Sequence, residues 1–511
     1  MMYGEEKSDL LIVAAKLANN PQGAESVERR SGAKGNAEQP HMRRTQSRES
    51  MSQRLSRVRE AAKQRKKERF TALFHLLTAE ALENAFLSLS RKAAAGVDGV
   101  RWKDYAENLK VNIADLHRRL HQGSYRAQPG RRHYIPKADG KQRPLGIASL
   151  EDKIVQYALV KILNAVYEND FMGFSYGFRP GRSQHNALDA LATGLVRTNV
   201  NWVLDADISQ FFDKVSHEWL IRFIEHRIGD QRVIRLIRKW LTAGTSEEGE
   251  WRASEEGEWR ASEEGEWRAS EEGTPQGAVI SPLLANIYLH YVFDLWAHQW
   301  RRRHATGNVV MVRYADDIVI GFDKRIDAQC FRIAMQRRLK EFGLTVHPKK
   351  TRLTEFGRFA AENRASRGKG KPETFNFLGF THISGKDRSG RFMLIRKTRR
   401  DRMTATLKAI KDGLRKRWHY SIPEQGKWLR RVVQGYLNYH SVPGNYPMMR
   451  KFRIYVTDLW RRALRRRSQQ DDTTWTKANR LAAVWLPKVR VLHPWPVERF
   501  TARHPRQEPG A

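Results

Sequence analysis

Apolar and polar positions follow different rhythms in successive stretches of this chain. From about Phe70 the rhythm is helical, with Leu73, Leu76, Leu77, Ala81 and Phe86 near the helical spacing of about 3.6 residues. Between Arg131 and Ile147 apolar and basic residues alternate around Ala138-Asp139-Gly140 and Arg143-Pro144, which predicts a strand–turn–strand finger carrying Lys137, Lys141 and Arg143. A helix follows, its apolar stripe being Ile154, Val155, Ala158, Leu159, Ile162, Leu163 and Val166. Another runs through Leu188 and Leu191, after Phe178-Arg179-Pro180-Gly181-Arg182. From Trp202 to Ile208 the alternation has a period of two, so Asp205 and Asp207 share one face of a strand and Trp202, Leu204, Ala206 and Ile208 the other. Apolar runs at 308–315 and 318–322 flank Asp316-Asp317, which reads as a tight hairpin presenting two acids at its tip.

The ends of the chain lack this patterning. Residues 1–69 are rich in Gly, Asn, Gln, Ser, Arg and Lys and poor in aromatics, a composition expected to stay mostly disordered because it buries too little apolar area. Between 246 and 273 an octapeptide, SEEGEWRA, begins at Ser246, Ser254 and Ser262, and a further copy from Ser270 stops after Gly273. So short and acidic a unit matches no solenoid architecture and reads as the duplication of a hairpin-like connector. From 396 to 467 the chain carries 21 Lys and Arg against Asp401, Asp412, Glu424 and Asp458, interleaved with Trp418, Trp428, Tyr436, Tyr439, Tyr455 and Trp460. Basic helices studded with aromatics suit a surface that tracks a nucleic-acid backbone.

Composition sharpens this picture. The 511 residues carry a formal net charge of +37, which points to a polyanionic partner. A hydrophobic content of 40%, with 15 Trp and 21 Phe, implies a packed core and argues against a disordered nucleic-acid packer. The lone Cys330 excludes an internal disulfide and a Cys-rich zinc module, and its presence without partners suits a reducing compartment. The apolar run Leu10–Ala15 is too short for a membrane span and follows Glu5 and Glu6, so neither a signal peptide nor a membrane partner is expected.

Carboxylates beside buried strands are costly unless a cation compensates them. Hard divalent ions take oxygen ligands, and a pair of Mg²⁺ ions serves in-line displacement at phosphorus. An isolated Asp-Asp is usually only an acidic turn. A second acid-bearing strand, a basic finger and a basic helical region change the balance towards nucleotidyl transfer.

These residues resemble a known family. Tyr314-Ala315-Asp316-Asp317 is similar to the metal-binding box of reverse transcriptases, and Asp207 with Phe211-Phe212 to their first palm motif. Phe178-Arg179-Pro180-Gly181-Arg182-Ser183, Thr274-Pro275-Gln276-Gly277, Ser281-Pro282-Leu283-Leu284-Ala285-Asn286 and Phe377-Leu378-Gly379-Phe380 resemble, in family order, blocks of the group II intron reverse transcriptase-maturases. The resemblance covers roughly residues 70–470. It implies an α+β right-hand polymerase: fingers after an N-terminal extension over 70–200, an antiparallel-sheet palm over 201–394, a helical thumb or maturase domain over 395–470, and a C-terminal tail over 471–511 that docks or touches DNA.

The same resemblance implies roles. Asp207, Asp316 and Asp317 would hold two Mg²⁺ ions, with the Ile208 carbonyl as an extra oxygen, and Lys350 would protonate the pyrophosphate. Lys137 and Arg143 would clasp the triphosphate, and Gln276 and Gly277 would line the nucleotide pocket. Phe212, beside Phe211, would lie under the sugar and select deoxynucleotides; Asp213 faces away from it if the strand is still extended there. Arg179, Arg182, Arg415, Arg417, Arg461 and Arg465 are the candidate template or RNA contacts. The implied partners are group II intron RNA, target DNA and deoxynucleoside triphosphates, with a dimer as one candidate assembly, in a prokaryotic cytoplasm. The implied function is splicing assistance and reverse transcription during retrohoming. A host-adopted reverse transcriptase, in phage defence or diversity generation, and a splicing cofactor with a decayed polymerase are the alternatives. Ala278 stands where the family commonly has glycine, and no paired cysteines mark the family's optional nuclease.

Overall fold

The predicted finger is two antiparallel strands, β1 (Gly130–Pro136) and β2 (Gln142–Ile147), in register from Arg131 opposite Ile147 to Pro136 opposite Gln142. The structure, a computed structural model, describes residues 39–136, 142–247, 251–253, 259–261, 266–268, 272–467 and 473–503. Lys137 and Lys141 lie outside the described residues, as do residues 1–38.

The period-two segment becomes β3 (Trp202–Asp207). The octapeptide region supplies β4 (Thr245–Glu247), β5 (Trp251–Ala253), β6 (Trp259–Ala261) and β7 (Glu266–Arg268). It extends the finger: β4 pairs parallel to β1 with Gly130 opposite Thr245, β7 pairs antiparallel to β4, and the sheet order is β2-β1-β4-β7. β5 and β6 pair with each other, the Trp-Arg-Ala of one copy lying antiparallel to that of the next.

The hairpin at 308–322 is β8 (Val309–Tyr314) and β9 (Asp317–Phe322). With β10 (Arg352–Glu355) they complete an antiparallel sheet of order β10-β3-β9-β8. β8 is buried almost throughout, with helix Gln184–Arg197 packed on it and helix Arg325–Glu341 packed on the neighbouring β3 and β9, a sheet covered by helices that suits unbroken apolar runs. A further antiparallel sheet, β11 (Phe375–Phe377), β12 (Phe380–Lys386) and β13 (Phe392–Thr398), leads into the basic helices.

Fingers and palm share one apolar core, whereas the thumb helices Arg400–Lys416, Ile422–His440 and Tyr446–Arg465 close around a second that includes Leu414, Leu429, Val433, Phe452 and Trp460. The α+β right-hand architecture is therefore present. No helix among the described residues is long and apolar enough to cross a membrane.

One expectation changes, at the N-terminal end. Within the segment expected to be disordered, Gln39–Gln64 is a helix. Its sparse apolar residues Met51, Leu55, Val58 and Ala62 fall on one stripe at steps of three and four and pack on the core, a signal hidden by the charged composition around it. The C-terminal segment is docked on the protein: Trp475–Trp485 packs on the thumb, and Pro496–Arg503 lies on helix Gln184–Arg197, where Arg499 pairs with the buried Asp189.

Candidate active site

Strand pairing brings the acids together. β3 and β9 are antiparallel with Asp207 directly opposite Asp317, although 110 positions separate them in sequence. Directly opposed residues have β-carbons about 4.5–5.5 Å apart. Tyr314 is opposite Asp317 in the hairpin, so the loop is just Ala315 and Asp316, and Asp316 sits at its tip. Such short loops require positive φ, and Ala315 adopts +55°.

The acids crowd one another. Burial, and then the charges of Asp317 and Asp207, push Asp205 up to about 7. Desolvation pushes Asp317 up to about 7 as well, with Asp316 and Asp207 adding repulsion, although part of the side chain reaches solvent. Burial also raises Asp316, against the pull of Arg143 and Lys350. Lys350 Nζ donates to Asp207 Oδ2 at 2.8 Å, so this lysine neutralises part of the cluster.

Among the described residues no three His, Cys, Asp or Glu side chains form a ready-made metal cage. Mg²⁺ does not need one, since it commonly takes one or two carboxylates and completes its shell with water and substrate phosphates. Burial, and then the neighbouring acids, raise Asp316 and Asp317, and a hard dication held between them and Asp207 would relieve the repulsion. Asp207, Asp316 and Asp317 therefore fit the group.

The residues expected to face a nucleotide come from the finger and from the segments that follow β3 and β7. Arg143 is exposed on β2, and its charge reaches Asp316. Gln276 Nε2 donates to Asp213 Oδ1 at 3.0 Å, and the Gln276 carbonyl accepts from Gly146 N at 2.7 Å, tying the pocket turn to the finger. A Cβ on Gly277 (φ +112°) would stand 3.0 Å from the Gly146 carbonyl, so the close approach this glycine permits is to β2. Phe211 is buried and Phe212 half-buried, the two rings edge to face at 5.4 Å. The strand has ended there: Gln210 (φ +47°) turns the chain and Phe211–Asp213 is a short 3₁₀ turn, which replaces the alternating-face argument for Asp213. Ile208 is buried and bridges to Val346.

The candidate RNA contacts divide. Arg179 is spent inside the protein: it pairs with Glu168 at 2.9 Å and donates to the Met172 and Ser175 carbonyls. Arg182 likewise donates to the Gly173 and Ser175 carbonyls and lies over Tyr176. Both therefore help to hold the 172–182 turn together. Arg417 covers Trp428, and Arg461 pairs with Asp458 while lying over Trp475, whereas Arg415 and Arg465 are exposed.

A supporting network escaped the sequence reading. Arg313, fully buried on β8, places all five of its donors. It reaches Asp294 Oδ1 (2.7 Å) and Oδ2 (2.5 Å), Asn286 Oδ1 (3.1 Å), Ser175 Oγ (2.7 Å) and the Ala315 carbonyl (3.0 Å). Asn286 Nδ2 in turn donates to the Gly177 carbonyl at 2.7 Å, and a Cβ on Gly177 would fall 2.3 Å from Ala315 N. Asp294 ends a π-helical stretch, His290–Asp294. The back of the Ala315-Asp316 loop is thus clamped by residues from four segments. The available signal was one arginine inside the otherwise apolar run Val-Val-Met-Val-Arg-Tyr.

Residues 135–382 match the reverse transcriptase (RNA-dependent DNA polymerase) family. The chain is 39% identical over 222 residues to protein YkfC of Escherichia coli, which covers 42% of this chain and 54% of that protein. It is 35% identical over 239 residues to the group II intron-encoded protein LtrA of Lactococcus lactis subsp. cremoris, covering 46% of this chain and 37% of that one. It is 25% identical over 409 residues to the putative COX1/OXI3 intron 1 protein of Saccharomyces cerevisiae, covering 67% and 46%. The chain spans about half or less of the length of these curated relatives.

Proposed function

We propose that this chain, which carries a reverse transcriptase domain of the group II intron-encoded kind, is an RNA-directed DNA polymerase and intron maturase. It binds group II intron RNA, assists its splicing and copies it after insertion into target DNA. The observation that carries the reading is the pairing of Asp207 with Asp317 beside the Asp316 loop.

Each residue has a task in this scheme. Asp207, Asp316 and Asp317 would hold two Mg²⁺ ions, which when bound activate the primer 3′-hydroxyl and stabilise the departing pyrophosphate. Arg143 lies close enough to the acids for its charge to favour a triphosphate between them, and Lys137 on the same finger is assigned the same duty. Lys350, hydrogen-bonded to Asp207, would hand a proton to the pyrophosphate once the acid's charge is taken up elsewhere. The Phe212 ring, anchored by the Thr274 N–H donating to its carbonyl at 2.7 Å, would exclude a 2′-hydroxyl. Exposed Arg415 and Arg465 on the thumb helices would grip the RNA backbone.

The test is extension of a DNA primer on an RNA template with Mg²⁺. Wild-type chain should extend the primer, and Asp316→Ala should reduce extension to background while RNA binding and splicing assistance persist. Extension by Asp316→Ala, or loss of extension and RNA binding together, would overturn the reading.

A further inference from the structure

Four non-glycine residues among those described have positive φ: Phe178, Gln210, Ala315 and Leu378. Gln210 and Ala315 turn the chain beside the catalytic acids, and the Leu378 carbonyl accepts from the Tyr439 hydroxyl at 2.7 Å. Phe178 (φ +57°) is different, because a bulky residue in the left-handed region is a genuine outlier and this residue is 51% exposed.

The fold explains the backbone but not the side chain. On one side Gly177 lies against the Ala315-Asp316 loop, its carbonyl held by Asn286. On the other side Arg179 is anchored in the protein by Glu168 and two carbonyls. The residue between these fixed points must turn left-handed. Glycine meets that demand with least strain, as Gly181 (φ +70°) does three positions later. A phenylalanine keeps the strain and stays half exposed. Strain of this kind is retained where the surroundings enforce it, and it clusters at functional sites. An exposed ring alone would need no explanation; the left-handed backbone beneath it does.

The ring is placed beside the chemistry. Its centroid is 6.4 Å from that of Tyr314, at 46°, and Tyr314 immediately precedes the Ala315-Asp316 loop. We propose that Phe178 is a nucleic-acid stacking residue: its ring receives an unpaired base at the end of the template–primer duplex next to Asp316 and fixes the strand there for extension. The proposal rests on the reverse transcriptase reading and adds a contact to it. A base is the fitting occupant because any base offers a π-face, so one ring serves every sequence a copying enzyme meets. The charge of +37 supplies the attraction that brings the duplex to it.

The experiment compares wild-type chain, Phe178→Gly and Phe178→Trp, reading the thermal midpoint, binding of a labelled RNA-template/DNA-primer duplex by fluorescence anisotropy, and primer extension. Phe178→Gly should melt at or above the wild-type temperature, because glycine relieves the backbone. It should bind the duplex about tenfold more weakly, within the range of a lost base stack. The slope of affinity against salt should not change, because no phosphate contact is removed. Phe178→Trp should restore binding. Wild-type affinity in Phe178→Gly, or weakened binding in both variants together with a lowered melting temperature, would overturn the proposal. A wild-type chain that binds the duplex and loses affinity on Phe178→Gly, yet extends no primer, would refute the polymerase reading and leave the stacking contact standing.

Discussion

Arg313 offers a sharp test of how the Ala315-Asp316 loop is held. Replacing it with methionine leaves Asp294, itself fully buried, without its cation, and removes a donor from Asn286, Ser175 and the Ala315 carbonyl. Breaking a buried pair from one side typically costs about 3–5 kcal/mol. Burial already raises the Asp294 carboxyl and Arg313 opposes that rise, so without the arginine Asp294 would take up a proton and limit the loss. The double variant Arg313→Met/Asp294→Leu removes the charge imbalance and leaves only neutral groups short of a donor, an expected cost of about 1–3 kcal/mol. Its stability should therefore recover towards wild type. Its rate should not, because nothing then holds the Ala315 carbonyl, and a displacement of about 1 Å at a reacting centre costs on the order of a hundredfold. Denaturant unfolding measures the first quantity, and single-turnover extension at saturating nucleotide and duplex measures the second. A double variant that extends primers at the wild-type rate would show that the network stabilises the fold without placing the loop. One as unstable as the single variant would show that the unpaired charge is not the main penalty.

Other expectations follow from local geometry. Phe212→Ala should open the space under the sugar and admit ribonucleotides, measured as the ratio of dNTP to NTP incorporation; an unchanged ratio would remove the gate from this residue. Deleting Ser246–Ala261 should preserve activity, because Ser262 and Glu263 then take the places of Ser246 and Glu247 opposite Trp267 and Glu266. Glu264-Gly265 becomes a two-residue hairpin loop, a favoured length, and an inactive deletion would show that the extra copies matter. Burial, with Arg396 beside it, holds His382 down at about 3, from an ordinary value of 6.5. The unfolded chain therefore binds a proton that the folded chain refuses, so stability is full above about pH 6.5 and falls as the pH drops through that value towards 3. His382→Phe, in a ring position stacked on Phe375, should flatten that acid slope in denaturant titrations, and an unchanged slope would assign the proton elsewhere.

The acid-bearing strands of the palm could be read from sequence because alternation and turn chemistry are local. Trp202–Asp207 had to place Asp205 and Asp207 on one face, and apolar runs on either side of Asp316-Asp317 had to fold as a hairpin. Elements with diluted patterns were harder. The helix Gln39–Gln64 carries four core residues among many charges, and its stripe has meaning only beside the surface that receives it. The 3₁₀ turn at Phe211–Asp213 follows from a left-handed Gln210, which no propensity rule requires.

What the tertiary structure alone decided is which charges face water. Arg179, Arg182 and Arg313 look like any other cations in a chain of charge +37. Yet the first two are turned inward onto carbonyls and Glu168, and the third is sealed behind the Ala315-Asp316 loop with Asp294. An arginine's five donors are satisfied as well by buried carbonyls as by phosphates. Only the arrangement of distant segments in space therefore determines whether it builds the protein or holds the nucleic acid.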